Sequence, residues 1–239
     1  MGIVWTATTA ILRPFARSAW AYRRINWEEI PRPTDEPIVT VPGEPTDRIV
    51  LVGDGPAMGY GVTSHSLALP GQLARQIASA TKHGASVQVV ADSTVGARHI
   101  ATRFATGVDE CDVAIVLLGG SDAARLTSTR AWITGLTALI EGASMLGAEV
   151  LIVAIPPISR MPVIRGPVAI LAAHHAVVLN EQSQAVADTY QHVTFLPFDP
   201  PEEPDDDRYR SASTYREWAE LIAPTVVRLL TTRVVRPHD

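Results

Sequence analysis

Arg48-Ile49-Val50-Leu51-Val52-Gly53-Asp54-Gly55-Pro56-Ala57-Met58-Gly59-Tyr60-Gly61 sets four consecutive apolar residues against a glycine-rich loop. Bounded by Asp47-Arg48 and Gly53, a run of this length fits a strand buried on both faces of a parallel sheet. In such sheets ligands bind beyond the carboxyl ends of the strands, and the first strand-to-helix loop lines that crevice. The loop does not read as a nucleotide cradle. Its spacing differs from Gly-X-X-X-X-Gly-Lys-Ser/Thr, and no Gly-X-Gly-X-X-Gly follows the strand. At its sharp turn stands Gly55, which offers no side chain.

The same pattern recurs downstream. Leu69 to Lys82 reads as a helix with Leu73, Ile77 and Ala80 on one face and Pro70 in its first turn. Ser86 to Ala91 is a second apolar strand, running into Asp92-Ser93-Thr94-Val95-Gly96, and a helix follows from Ala97. Asp112 to Leu118 is a third, running into Gly119-Gly120-Ser121-Asp122. The spacing of Trp132, Leu136, Leu139 and Ile140 predicts a helix, Ala148 to Ile155 a fourth strand ended by Pro156-Pro157, and Val168 to Tyr190 a long helix. A short strand at His192 to Leu196, an acidic loop from Asp199 to Arg210 and a last helix over Ser213 to Thr232 complete the series. Alternating strands and helices imply a parallel sheet covered on both faces. Parallel strands all point one way, so Gly55, Gly96 and Ser121 are expected at one edge.

The chain before this domain differs in character. Ile3, Trp5, Ile11, Leu12, Phe15, Trp20 and Tyr22 are interleaved with Arg13, Arg17, Arg23 and Arg24, the pattern of an amphipathic helix, with an interruption expected near Pro14. Such a segment packs on its own domain, on a second subunit as a homodimer, or peripherally on a membrane surface. Pro31, Pro33, Pro37, Pro42 and Pro45 predict an extended linker. The expected organisation is therefore an N-terminal segment and linker over residues 1–46, one α/β domain over 47–232, and a tail over 233–239.

Composition narrows the function classes. The 239 residues are 46% hydrophobic and 19% charged, an ordinary globular composition, and a formal charge of −5 leaves no basic footprint for nucleic acid. Cys111 is the only cysteine, so neither an intrachain disulfide nor a cysteine-based metal site is expected. No run of 18 or more apolar residues and no secretory signal pattern is present, so a cytoplasmic location with possible membrane association through residues 3–24 is the expectation. No cofactor is implied.

Gly-Asp-X after the first strand, a glycine after the second, Gly-X-X-Asp after the third and an Asp-rich loop before a terminal Tyr/Trp helix together resemble the SGNH (GDSL) hydrolase family. The resemblance covers about Arg48 to Arg228, and it includes Ile155-Pro156-Pro157-Ile158-Ser159-Arg160 and Tyr215-Arg216-Glu217-Trp218-Ala219. It implies a three-layer α/β/α fold, flavodoxin-like, with a five-stranded parallel sheet of order 2-1-3-4-5 and the active site at the carboxyl edge. It also implies ester hydrolysis or acyl transfer. Where the family carries Gly-Asp-Ser, however, this chain reads Gly53-Asp54-Gly55, and the nucleophile serine is absent. Where similar members carry Gly-X-Asn-Asp it reads Gly119-Gly120-Ser121-Asp122, leaving Ser121 one shorter-armed donor for an oxyanion beside the Gly96 amide. The family's Asp-X-X-His falls on Asp206 and Tyr209, or with a one-residue shift on Asp207 and Arg210; neither frame supplies an imidazole.

Other side chains compete for a chemical role. Ser64-His65-Ser66 is a hydroxyl-imidazole cluster that could hold a displaced nucleophile and base, although sequence neighbours rarely face each other at triad separation. Asp54 is expected to bind loop amides, with Asp122 nearby. His99 falls near the pocket rim. His174-His175 lies on an apolar helix, where adjacent residues point about 100° apart, so one is expected in the core and one at the surface. The carboxylates from Asp199 to Asp207 lack the spacing of a cation loop, and Arg160 and Arg165 could clamp an anion at the pocket mouth. The expectation is a catalytically degenerate hydrolase fold whose cleft binds an acyl or glycosyl ligand or a partner. The alternatives are an active esterase or acyltransferase with a relocated nucleophile, and a scaffold tethered by its N-terminal segment.

Overall fold

The computed structural model describes residues 2–24, 30–158, 167–201 and 210–235, with side chains over 9–21, 30–158, 169–201 and 210–233. The elements run α1 (Gly2–Arg24), β1 (Ile38–Val41), β2 (Thr46–Gly53), α2 (Leu69–Thr81), β3 (Gly84–Ala91), α3 (Ala97–Gly107), β4 (Val113–Leu117), α4 (Gly120–Ala124), α5 (Thr129–Met145), β5 (Glu149–Val153), α6 (Pro167–Ala187), β6 (Val193–Leu196) and α7 (Ala212–Val235). The sheet order is β1-β3-β2-β4-β5-β6. Its five parallel strands keep the expected order, with β2 central between β3 and β4.

Strand alternation builds the three layers. Val50 and Val52 join Ala114 and Val116 in a core under α1, α3, α5 and α6 that includes Trp20, Phe104, Trp132 and Leu179. Ile49 and Leu51 join Ile115 in a second core under α2 and α7 that includes Leu73, Ile77, Tyr215 and Trp218. Both faces of β2 are therefore dry, which is why its sequence is an unbroken apolar run.

Three sequence expectations are corrected. The sheet has six strands rather than five, because part of the proline-rich stretch expected as linker forms β1, antiparallel to β3 from Ile38 opposite Gln88 to Val41 opposite Ala85. Pro37 and Pro42 bracket four residues that keep their amides, and an edge strand tolerates proline at its ends. The helix α1 continues through Pro14 without interruption. Ala10 and Pro14 are both exposed, so solvent can hydrate the carbonyl that Pro14 leaves without a donor. The last helix runs on to Val235, and Arg233, expected in a tail, donates to the Gly147 carbonyl at 3.1 Å. Among the described residues no helix is long and apolar enough to cross a membrane.

At the amino ends of the strands, opposite the loops that carry Gly55, Gly96 and Ser121, Asp112 acts as a clamp. It accepts the Arg48 amide at 2.7 Å and the Arg48 Nε at 3.3 Å, and it pairs with Arg233. Burial alone would raise its pKa, but the Arg48 hydrogen bonds and the Arg233 charge outweigh this and hold it below the ordinary value of 3.8. A carboxyl depressed in the folded state contributes stability above its unfolded pKa and loses it as pH falls through the folded one. Asp112→Asn should therefore cost about 2 kcal/mol at neutral pH. In urea titrations the gap to wild type should close as pH falls below 3.8; a gap independent of pH would contradict the clamp.

Candidate functional site

The register brings the three loops together. Gly53 lies opposite Ala91 of β3 and Leu117 of β4, the Asp54 amide donates to the Leu117 carbonyl at 3.3 Å, and the Asp92 amide donates to the Gly53 carbonyl at 3.2 Å. The loops carrying Gly55, Gly96 and Ser121 thus leave adjacent strand ends on one edge.

The two glycines of the first loop differ in kind. A Cβ on Gly53 would stand 2.4 Å from the Ala57 methyl and 2.7 Å from the Leu117 carbonyl oxygen, so packing demands glycine there. Among the described residues, a Cβ on Gly55 would meet nothing nearer than a Tyr60 ring carbon at 3.9 Å. Gly55 also has no positive φ, so neither backbone nor packing requires it.

Asp54 and Ser121 are bound to each other. Both the Ser121 amide, at 3.0 Å, and its hydroxyl, at 2.9 Å, donate to one Asp54 oxygen, and both residues are buried. The hydroxyl expected as an oxyanion donor is committed to a carboxylate. Arg125, one turn further on, donates through Nε to the Ser121 carbonyl at 3.1 Å and through a terminal nitrogen to the Val95 carbonyl at 3.0 Å. It joins the loop after β3 to the loop after β4. Asp122 accepts the Thr127 hydroxyl at 2.7 Å and faces Arg125 at 3.4 Å. Burial pushes the Asp122 carboxyl above its ordinary range against the pull of Arg125 and Thr127, and the neighbouring Asp54 adds to the rise. Among the described residues, the amides of Gly55 and Gly96 donate to no backbone carbonyl.

The first loop is pinned from behind. The Tyr215 hydroxyl donates to the Tyr60 carbonyl at 2.8 Å, and the Gly61 amide donates to the Pro31 carbonyl at 2.7 Å. Gly61, at φ +103°, lies so close to the Arg210 backbone that a Cβ would stand 2.0 Å from its carbonyl oxygen. The Tyr60 hydroxyl meets Ser93 at 3.2 Å. Arg210, which falls on the family's histidine in the shifted frame, lays its buried guanidinium over the Trp218 ring, 4.7 Å from the centroid. A planar cation over an indole face is a favourable arrangement.

The remaining candidates disperse. Ser64 is bonded to Ser66 at 2.8 Å, while His65 Nδ1 meets Asp35 at 2.8 Å and the His65 amide also donates to Asp35. Burial of Asp35 is outweighed by these bonds to His65, which keep its pKa low. The ring of the candidate Ser64-His65 pair is thus held by a carboxylate, and among the described residues no hydroxyl bonds it. His99 is exposed in the first turn of α3. His174 is exposed and His175 buried, as helical geometry requires. Burial pushes the His175 pKa down, and its Nε2 donates to the Thr127 carbonyl at 2.6 Å. Burial pushes the Cys111 thiol up to about 12, far too high for a nucleophile. Among the described residues no group of three or more His, Cys, Asp or Glu could hold a metal ion. Asp206, Asp207, Tyr209, Arg160 and Arg165 lie outside the described residues. Two contributors escaped the sequence reading. Arg125 was open to discovery from its four-residue spacing to Ser121, whereas Asp35 had no local signal linking it to His65, thirty residues away.

Comparison with known proteins places this architecture. Solved structures with the same fold include TesA (18% identity, TM-score 0.61) and the inhibitor-bound form of the M. smegmatis aryl esterase (20%, 0.56), each matched over 77% of this chain and 99% of the other. A carbohydrate acetylesterase family member from Sinorhizobium meliloti matches over the same shares at 19% identity and a TM-score of 0.56. No curated protein sequence matches the chain. The profile of the GDSL-like lipase/acylhydrolase family matches residues 51–217, from the central strand to the Tyr215 helix. With that match spanning most of the folded domain, the chain belongs to the GDSL-like lipase/acylhydrolase family.

Proposed function

We propose that this chain is a catalytically silent member of its family that keeps the cleft for binding an acyl or glycosyl ligand. The observation that carries the reading is Gly55. Among the described residues the space beside it is open, its backbone does not exclude a side chain, and residue 55 itself supplies no reacting atom. Two of the side chains beside it are committed to the fold, with Ser121 on Asp54 and Arg125 on the loop carbonyls. The ligand class follows the structural neighbours, which include an aryl esterase and a carbohydrate acetylesterase family member. The Gly55 and Gly96 amides would serve a ligand carbonyl or carboxylate as donors.

The magnitudes favour binding over turnover. Losing one triad member costs on the order of 10⁴ to 10⁶ in rate, and nucleophile and base fail together because they act as a unit. An oxyanion site alone leaves on the order of 10³ to 10⁴ over water. A relocated Ser64-His65 pair is disfavoured by the Ser64–Ser66 and His65–Asp35 bonds.

With p-nitrophenyl esters of short and medium chains, the purified protein should show no burst, and Ser64→Ala or Ser121→Ala should leave the residual rate unchanged. Saturable turnover that falls about a hundredfold or more in Ser64→Ala would overturn the proposal. Gly55→Ser should fold with a stability within about 1 kcal/mol of wild type and still fail to turn over ester, whereas Gly53→Ser should lose more than about 2 kcal/mol. Denaturant melts and the same ester assay read both outcomes. Octanoate or octyl glucoside should raise the melting temperature of wild type, and Gly55→Leu, which fills the open space, should abolish the shift. A shift retained in Gly55→Leu would move the ligand elsewhere.

A further inference from the structure

The helix α1 is docked by one face and presents the other. Thr9, Ala16 and Trp20 are buried, and Arg13 Nε donates to the Leu126 carbonyl at 2.7 Å, which fixes positions 9, 13, 16 and 20 toward the domain. That spacing is one helical stripe. On the opposite side Ile11, Pro14, Phe15 and Ser18 form an exposed stripe, and Ile11 and Phe15 are 71% and 74% exposed. Two large apolar side chains one turn apart, both mostly in solvent, are not a feature that packing within the chain accounts for. Arg17 is exposed beside them. On α6, whose core residues share the layer that buries Trp20, Ile170 is also exposed.

Charge indicates what covers this stripe. From Gly2 to Arg24 the chain carries Arg13, Arg17, Arg23 and Arg24 and no acidic residue, while the whole chain has a net charge of −5. Arg13 is turned to the domain, so Arg17 is the arginine exposed with the apolar stripe, on an element without a carboxylate. An amphipathic helix with an exposed arginine beside an apolar face and no acidic residue, too polar to span, suits the interface of an anionic bilayer. We infer that the exposed face of α1 docks this protein on an anionic lipid surface, with Ile11 and Phe15 entering the headgroup boundary and Arg17 meeting lipid phosphates. The docking point is near the cleft. Leu126, which receives Arg13, follows α4, and α4 carries Ser121. A lipid-docked α1 would therefore hold the edge of the cleft beside the bilayer. The inference stands independently of the proposed silence of the site.

Sedimentation of the full chain with sucrose-loaded vesicles tests it. Phosphatidylcholine vesicles carrying about 30 mole per cent phosphatidylglycerol should pellet the protein, and pure phosphatidylcholine should not. Ile11→Ser/Phe15→Ser should lower the partition about tenfold or more, as should raising salt to about 0.5 M. Both substitutions are on exposed positions, and an unchanged thermal melt verifies folding. Absence of binding to anionic vesicles, or equal binding by the double variant, would overturn the inference. A concentration-dependent dimer in sedimentation equilibrium that the double variant abolishes, without vesicle binding, would overturn it in favour of a second copy of the chain.

Discussion

The molecule depends on the burial of β2 on both faces and both edges. Leu51 and Val52 are inaccessible to solvent, and their neighbours on β3 and β4 run parallel to them. A parallel strand with no free edge requires crossover helices on both faces and aligns the strand ends. Everything after Gly53 must then emerge at one edge, beside the loops that follow β3 and β4. Gly53 is part of the same constraint, because its missing side chain makes room for Ala57 and the Leu117 carbonyl as the chain leaves the sheet.

At that edge polar groups have been joined into structure. A buried carboxylate needs hydrogen-bond donors, and Asp54 obtains two from Ser121. Arg125 ties the neighbouring loops by their carbonyls, and Asp122 sits between Arg125 and Thr127. Behind the first loop, Tyr215 and the close approach of Gly61 to Arg210 fix its course. The first loop is held on both sides of a turn whose residue 55 presents only backbone.

Much of this was legible in the chain itself. The apolar runs at 49–52, 113–118 and 148–155 have one reading, because strands buried on both faces admit little else. The departure from the family at Gly55 is likewise a fact of covalent sequence. The edge strand β1 was obscured by its prolines, whose local preference for an extended linker was overridden by pairing with β3. Pro14 misled in the same way, since a helix held by Trp20 and Arg13 absorbs one missing hydrogen bond on its wet side. Arg210 found its partner in Trp218 across a turn of α7, a contact that depends on how the helix begins.

Sequence by itself determined the parallel α/β architecture, the order of its strands and the absence of a side chain at residue 55, because these follow from hydrophobic period and residue identity. Only the tertiary structure decided that Gly53 is required and Gly55 is not, that Ser121 answers to Asp54, that His65 pairs with Asp35, and that α1 leaves Ile11 and Phe15 in solvent. The physical reason is range. Period and propensity act over a few neighbouring residues, whereas steric room, hydrogen-bond partners and exposure are settled by groups that meet only after the chain has folded.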